Sequence, residues 1–120
     1  MTFFRRDTGK MGEDKAVAAV RRRGMRVRCR NYRCRLGEID IIAEDGGTLV
    51  FVEVRSRRTG GYGLPQESIG PQKAAKVRRA AQYYMAVNEL SDADCRFDVV
   101  AVKMDLKGKV ENIEYIKNAF

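Results

Sequence analysis

Four charged residues, Glu38, Asp40, Glu53 and Arg55, stand out in a short and largely apolar stretch, residues 37–55, of this 120-residue chain. Glu38 and Asp40 alternate with apolar residues before an Asp-Gly-Gly turn signal, and Glu53 and Arg55 fall in the β-branched and aromatic run that follows it. This pattern predicts two strands joined by a tight hairpin. Burying carboxylates in such a hairpin is costly unless a cation or hydrogen bonds replace the lost water. We therefore expect a compensating group at this place.

The register of the hairpin decides which carboxylates meet. If the turn consists of the two glycines, Asp40 lies directly opposite Glu53; if it begins one residue earlier, Glu38 takes that place and Asp40 is one diagonal away. Directly opposed side chains are roughly 5 Å apart at Cβ, within reach of one shared divalent ion. Arg55 projects from the same face as Glu53 because side chains alternate along a strand.

Four motifs distributed along the chain match one family pattern. They are Gly37-Glu-Ile-Asp40, Phe51-Val-Glu-Val-Arg-Ser-Arg-Arg58, Arg96-Phe-Asp-Val-Val-Ala101 and Ile116-Lys-Asn-Ala-Phe120. Together they resemble the bacterial YraN-type family of the PD-(D/E)XK nuclease superfamily. The resemblance implies an α/β, restriction-endonuclease-like fold, related to archaeal Holliday-junction resolvases, in which helices flank a central mixed sheet of about five strands. Residues 1–120 would form one such domain.

The resemblance also implies a metal site. It assigns Mg²⁺, or Mn²⁺, to Asp40, Glu53 and the Val54 carbonyl, with a contribution from Glu13 of the first helix. Mg²⁺ suits this set because it prefers few carboxylates and several waters. Glu13 has an equally good second interpretation, as a first-turn acid favoured by the helix dipole or paired with a nearby lysine.

Two cations are candidates for catalysis. Arg55 occupies the motif position where the superfamily commonly has lysine. Arginine stays protonated, so Arg55 cannot be a general base, but it can orient water or hold the scissile phosphate with two hydrogen bonds. Some members of the superfamily supply a catalytic lysine from the following helix, and Lys73 is the matching position here. The alternative is that Lys73 is only a solvated first-turn lysine.

The net charge of +8 is unevenly distributed. Residues 1–35 contain 12 Lys and Arg against 3 acids, whereas residues 36–54 contain 5 acids and no basic residue. An acidic centre with basic flanks is typical of a metal site that acts on a polyanion. The alternative is an ordinary solvated basic face. The candidate nucleic-acid contacts are Arg26, Arg28, Arg30, Arg57, Arg58 and Lys76.

Arginines alternate with apolar residues along the first strand, which predicts one apolar face and one purely cationic face. Tyr32 lies among these arginines and either stacks on a base or packs at the strand end. After the hairpin, the glycine-rich segment 57–65 predicts a mobile basic loop on the substrate side. It lacks the Lys-Ser/Thr ending of a phosphate-binding loop.

The remaining elements are predicted from the periodicity of apolar residues and from the glycine and proline residues that begin or end helices. A helix is predicted from about Thr8 to Arg23 and ended by Gly24, and a second helix opens at Gly70-Pro71. The apolar run from Cys95 to Asp105 predicts a central strand parallel to the Glu53 strand, and Val110 to Ile116 predicts a final edge strand. Asp98 is expected to orient its neighbours, not to bind metal.

Composition excludes several classes of function. The chain has no histidine, which excludes common zinc sites and histidine-based nucleophilic catalysis. The three cysteines have no C-x-x-C spacing and suit a reducing cytoplasm as small core residues. Neither an apolar run long enough to cross a membrane nor a signal-peptide pattern is present, so we expect a cytoplasmic protein without a membrane partner.

Three functions remain on sequence grounds. The first is a Mg²⁺-dependent endonuclease that hydrolyses phosphodiester bonds in structured or damaged nucleic acid, with DNA the expected form. The second is a nucleic-acid-binding module of nuclease fold with little or no catalytic activity, so the assignment as an enzyme is open. The third is a factor whose basic face meets an acidic protein. The resolvase relatives suggest a homodimer.

Overall fold

A computed structural model of the chain describes the backbone of residues 2–58 and 69–120, and the side chains of residues 11–57 and 69–120. The elements in chain order are α1 (Thr2–Arg22), β1 (Arg26–Cys34), β2 (Gly37–Asp45), β3 (Thr48–Arg58), α2 (Pro71–Val87), β4 (Asp94–Met104) and β5 (Val110–Ile116). The helix predicted from Thr8 begins six residues earlier. Gly24, at φ 86°, follows its C-terminus as expected.

The strands form one five-stranded sheet in the order β1-β2-β3-β4-β5. Strands β3 and β4 are parallel, joined by the crossover through α2, and the other neighbours are antiparallel. The predicted parallel pairing of the Glu53 strand with β4 is therefore confirmed. So is the fold class, an α/β mixed sheet flanked by helices and consistent with a restriction-endonuclease-like fold.

The central hairpin adopts the register in which the two glycines form the turn. Asp45 pairs with Thr48, and the ladder continues to Ile41 opposite Val52. Gly46 has φ 63°, a conformation that glycine adopts without a steric penalty. In this register Asp40 and Glu53 lie opposite each other, one position beyond the pair of Ile41 and Val52. This is the first of the two predicted alternatives.

Both faces of the sheet are buried, each under one helix. Val50 and Val52 of β3 pack in the core beneath α1, and Leu49 and Phe51 pack in the core beneath α2. Because side chains alternate along a strand, Glu53 falls on the α2 side of the sheet. This alternation explains how an acid of β3 meets a residue of α2.

A bulge in β1 overturns one prediction. The register shifts between Val27 and Cys29, and these residues pack against opposite cores, under α1 and α2 respectively. The predicted purely cationic face is therefore wrong, because the extra residue of a bulge interrupts the alternation of side chains. Arg28 contacts Tyr84 of α2, whereas Arg30 contacts Glu13 of α1.

A polar cluster centred on Asp98 lies within the sheet. Asp98 is fully buried and accepts hydrogen bonds from Arg96, the Tyr115 hydroxyl and the Asn118 backbone N–H. Burial, followed by the hydrogen bond to Asp98, raises the pKa of Tyr115 above its usual range. Four donor atoms, two of them on Arg96, therefore compensate the buried carboxylate, as expected of a residue that orients its neighbours. None of the described helices is long and apolar enough to cross a membrane.

Candidate active site

Asp40 and Glu53 meet where the β2–β3 ladder ends. Beyond Ile41, the Asp40 carboxylate bonds to the neighbouring strand, and its Oδ2 accepts the Val54 N–H at 2.8 Å. The Asp40 and Glu53 carboxyl groups are themselves hydrogen-bond partners. Two predicted site residues are thus in direct contact, and Asp40 is also fixed to the β3 backbone.

Glu53 is buried without full hydrogen bonding. The residue is 5 % exposed, and its Oε2 atom has no hydrogen-bond partner among the described residues. The Lys73 Nζ atom lies 3.4 Å from Oε2, close enough for an ion pair although its geometry is not that of a hydrogen bond. Lys73 is therefore not a purely solvated lysine: α2 directs its ammonium toward the carboxylate pair.

The protonation of Glu53 reflects this setting. Burial and then the hydrogen bond and negative charge of Asp40 raise the pKa of Glu53 to about 8, whereas the charge of Lys73 opposes the rise. Near neutral pH the Glu53 carboxyl group is therefore largely protonated. A divalent cation could replace that proton and satisfy Oε2, so the donor set fits a metal such as Mg²⁺.

Two arginines follow Glu53 on β3. Arg55 and Arg57 are half-buried and line a cavity of about 320 Å³ together with Val54 and Ser56. The residues that line this cavity follow Glu53 directly along β3, and the two arginines give it a cationic wall. The metal-binding role predicted for the Val54 carbonyl stays a prediction, whereas its N–H is used by Asp40.

Glu13 of α1 contacts residues of β1. Its Oε1 accepts hydrogen bonds from Arg30 Nε at 3.0 Å and Asn31 Nδ2 at 2.9 Å. Asn31 lies on β1 between the partners of Ile39 and Ile41, and so across the ladder from Asp40. Within residues 11–57 and 69–120, no three His, Cys, Asp or Glu side chains form a group that could hold a metal. A metal-binding role for Glu13 stays a prediction; the observed role is that of an acid paired with a cation.

The predicted nucleic-acid contacts divide into two groups. Most of the β1 arginines form ion pairs within the protein: Arg26 and Arg28 both pair with Glu44, and Arg30 pairs with Glu13 and Asp14. Lys76 of α2 is exposed. The side chain of Arg58 and residues 59–65 of the predicted glycine-rich loop lie outside the described residues.

The sequence interpretation missed Asn31 and Glu44. Asn31 has φ 52°, a left-handed conformation for which asparagine is enriched, so an Asn inside the predicted first strand, between Arg30 and Tyr32, was a usable signal. Glu44 pairs with two arginines that are far away in the chain. No local pattern predicts that pairing. Tyr32 packs edge-on against Tyr84, with ring centroids 5.2 Å apart, which is the second of its two predicted roles.

Comparison with known proteins identifies the family. The profile described as "Uncharacterised protein family UPF0102" matches residues 12–102, which include every residue of the candidate site. This chain belongs to the UPF0102 family. A UPF0102 protein of Moorella thermoacetica is 48 % identical over 120 residues, with both chains covered completely. A UPF0102 protein of Syntrophus aciditrophicus is 50 % identical over 113 residues, covering 94 % of this chain and 87 % of the relative.

The predicted resemblance to the YraN-type family, which is UPF0102, is thereby confirmed. In this UPF0102 chain the fold brings together Asp40, Glu53 and Lys73, from three different elements. Two carboxylates beside a lysine and a cationic wall can hold a divalent ion, orient a water molecule and neutralise an anion. This combination of groups is suited to hydrolysing a phosphate ester.

Proposed function

We propose that this UPF0102 protein is a Mg²⁺- or Mn²⁺-dependent endonuclease that hydrolyses phosphodiester bonds in structured or damaged nucleic acid, with DNA the expected substrate. The observation that supports this most strongly is the burial of Glu53 beside Asp40, with an Oε2 atom that has no hydrogen-bond partner among the described residues. A buried acid beside a second acid destabilises a fold, so its presence in a cationic setting favours a function that needs it.

Asp40 and Glu53 would hold the metal. When bound, Mg²⁺ supplies a water of lowered pKa and neutralises charge on the phosphate. Two carboxylates suffice, because Mg²⁺ usually keeps several waters and takes further ligands from substrate phosphates. The Val54 N–H holds the Asp40 carboxylate in place, so this metal-binding group is already positioned before the metal binds.

The two cations have different tasks in this proposal. Lys73, 3.4 Å from Glu53, is placed to orient a water molecule or to pass on a proton at the carboxylate pair. Arg55 stays protonated and is suited to holding the scissile phosphate. Its cavity wall, shared with Arg57, gives the phosphate a cationic environment.

The test is a cleavage assay on duplex, single-stranded, flap and four-way-junction DNA with Mg²⁺ or Mn²⁺. We expect Asp40→Asn to abolish cleavage yet to bind nucleic acid in EDTA at least as tightly as the parent, because it removes a charge that repels phosphate. Glu38→Gln is the matched control: Glu38 is an acid of the same hairpin, 60 % exposed and 3.5 Å from Arg33. It should leave cleavage unchanged. Cleavage by Asp40→Asn at the parental rate would refute the proposal.

Steady-state kinetics separate the two cations. If Arg55 holds phosphate, Arg55→Ala raises KM and Arg55→Lys retains most activity. If Lys73 acts on water or a proton, Lys73→Ala lowers kcat and alters its pH profile. An unchanged KM for Arg55→Ala would show that this arginine does not contact the substrate.

A second candidate function is a nucleic-acid-binding module of nuclease fold. One observation favours it: among the side chains that the structure describes, only two acids converge at the site. A parent protein that binds but cuts no substrate with either metal, and an Asp40→Asn variant that behaves identically, would establish this alternative.

We also propose that the protein forms a homodimer and is located in the cytoplasm. Homodimer formation is measurable by light scattering coupled to size-exclusion chromatography. A cytoplasmic location is measurable by cell fractionation. We expect the protein in the supernatant and not in the membrane pellet when the lysate contains moderate salt.

A further inference from the structure

The cations on the outer side of α2 differ from those of β1. Arg26, Arg28 and Arg30 are held in ion pairs with acids of β2 and α1. Lys76 and Arg79 are exposed and form no ion pair with the residues that the structure describes. Their charge is available to a partner, whereas much of the β1 charge is already compensated.

Lys76, Arg79 and Tyr83 form one stripe along α2. Residues three, four and seven apart share one side of a helix, and these three span roughly 10 Å along its axis. The core side of the same helix contains Val77, Ala81 and other buried residues. Tyr83 is 38 % exposed although it is a large aromatic residue. The stripe thus combines two cations with an accessible ring.

The stripe begins at the carboxylate pair. Lys73 lies one helical turn before Lys76, and its ammonium reaches Glu53 at 3.4 Å. Gly37 packs against the same part of α2: a Cβ built on it would lie 3.1 Å from the Lys76 carbonyl oxygen. The β1–β2 turn, which contains the exposed Arg35, is therefore adjacent to the stripe.

We propose that Arg35, Lys76, Arg79 and Tyr83 form the docking surface for a nucleic-acid strand with unpaired bases, and that this surface leads the strand to Asp40 and Glu53. The inference rests on the proposed function, because the site at the end of the stripe defines the direction of the strand. The exposed ring favours nucleic acid over an acidic protein, because a base can stack on it.

The first experiment measures binding of a fluorescent single-stranded oligonucleotide in EDTA, where nothing is cut. Lys76→Ala with Arg79→Ala should weaken affinity roughly 20-fold at 0.1 M salt and lower the slope of log Kd against log salt by about 1.4. The matched control is Arg21→Ala with Arg22→Ala, which removes the same charge from exposed positions of α1 on the opposite face of the sheet. The control should stay within about twofold of the parent. Equal losses for both pairs would show that net charge alone matters and would overturn the proposal.

The second experiment tests the aromatic residue. Tyr83→Ala should weaken binding of the single strand roughly tenfold, the value of one lost stacking contact, and leave duplex binding unchanged. Tyr83→Phe should retain the parental affinity, because stacking needs only the ring. Parental affinity of Tyr83→Ala for the single strand would overturn the proposal. So would competition by polyglutamate as effective as that by an unlabelled oligonucleotide, since it would indicate an acidic protein partner.

The two proposals fail in different ways. A protein that binds through the α2 stripe in EDTA but cuts no substrate with metal loses the nuclease function and keeps the docking surface. A protein that cuts with Asp40-dependent kinetics while Lys76→Ala with Arg79→Ala binds normally keeps the nuclease function and loses the docking surface.

Discussion

The buried carboxylate should make stability depend on pH in a direction opposite to that of most acids. Glu53 releases its proton near its usual pKa of 4.5 when unfolded and at about 8 when folded. Between these values the folded state binds more protons, so the free energy of unfolding falls as pH rises. The slope reaches at most about 1.4 kcal/mol per pH unit, or about 2.7 kcal/mol from pH 5.5 to 7.5.

Replacing Glu53 by glutamine should remove this dependence. Gln stays neutral and can keep a hydrogen bond to Asp40, so we expect the variant to be more stable than the parent at pH 7.5 by about 1–2 kcal/mol. The expectation is below the maximum because a glutamine amide reproduces the contacts of a protonated carboxyl group only in part. At pH 5 the two proteins should differ little.

Urea denaturation at several pH values, without metal, measures this difference. Glu38→Gln, an exposed acid of the same hairpin, is the control and should leave the pH profile unchanged. Mg²⁺ at ten times its Kd should then stabilise the parent at pH 7.5 by about 1.4 kcal/mol and leave Glu53→Gln nearly unaffected. Loss of stability in Glu53→Gln at pH 7.5, or a flat profile for the parent, would refute the reasoning.

Three further substitutions test the surroundings of the site. Lys73→Met removes the charge that opposes the raised pKa of Glu53, so stability should fall over a wider pH range, as urea denaturation up to pH 9 would show. Asp98→Ala leaves the nearly buried Arg96 without its main partner and should lower the free energy of unfolding by about 3–5 kcal/mol. Thermal denaturation would show this as a lower midpoint. A loss under about 1 kcal/mol would contradict the buried network. Gly37 has φ 156°, and Gly37→Ala places a methyl group 3.1 Å from the α2 backbone, so the free energy of unfolding in urea should fall by about 1–3 kcal/mol. Gly47 has open space around it, and Gly47→Ala should be nearly neutral.

Local signals predicted the carboxylate hairpin well. The Asp-Gly-Gly link and the β-branched run predict both strands, and the register built on the two glycines is the one observed. Pro71 opens α2 as predicted, and the strand from Val110 to Ile116 has the predicted bounds. These features depend on neighbouring residues and on side-chain alternation, which a sequence displays directly.

The partners of the charged residues could not be predicted in the same way. The bulge beside Arg28 reverses the alternation that made β1 look cationic on one face. Glu44 then pairs with both Arg26 and Arg28, which lie 18 and 16 positions away in the chain. Such pairings depend on which side chains the assembled sheet and helices bring together, so the available positive surface becomes visible only in the folded structure.

The Val54 N–H offers a direct way to observe the site at work. This amide donates to a carboxylate oxygen of Asp40 at 2.8 Å instead of to a carbonyl of the neighbouring strand. Any ligand that draws Asp40 toward itself must compete for that oxygen. The Val54 resonance would then shift, and its hydrogen exchange with solvent would change, before any bond in a substrate is broken. One amide at the end of the β2–β3 ladder could thus report occupancy of the site in a single spectrum, even in a variant that cannot cut.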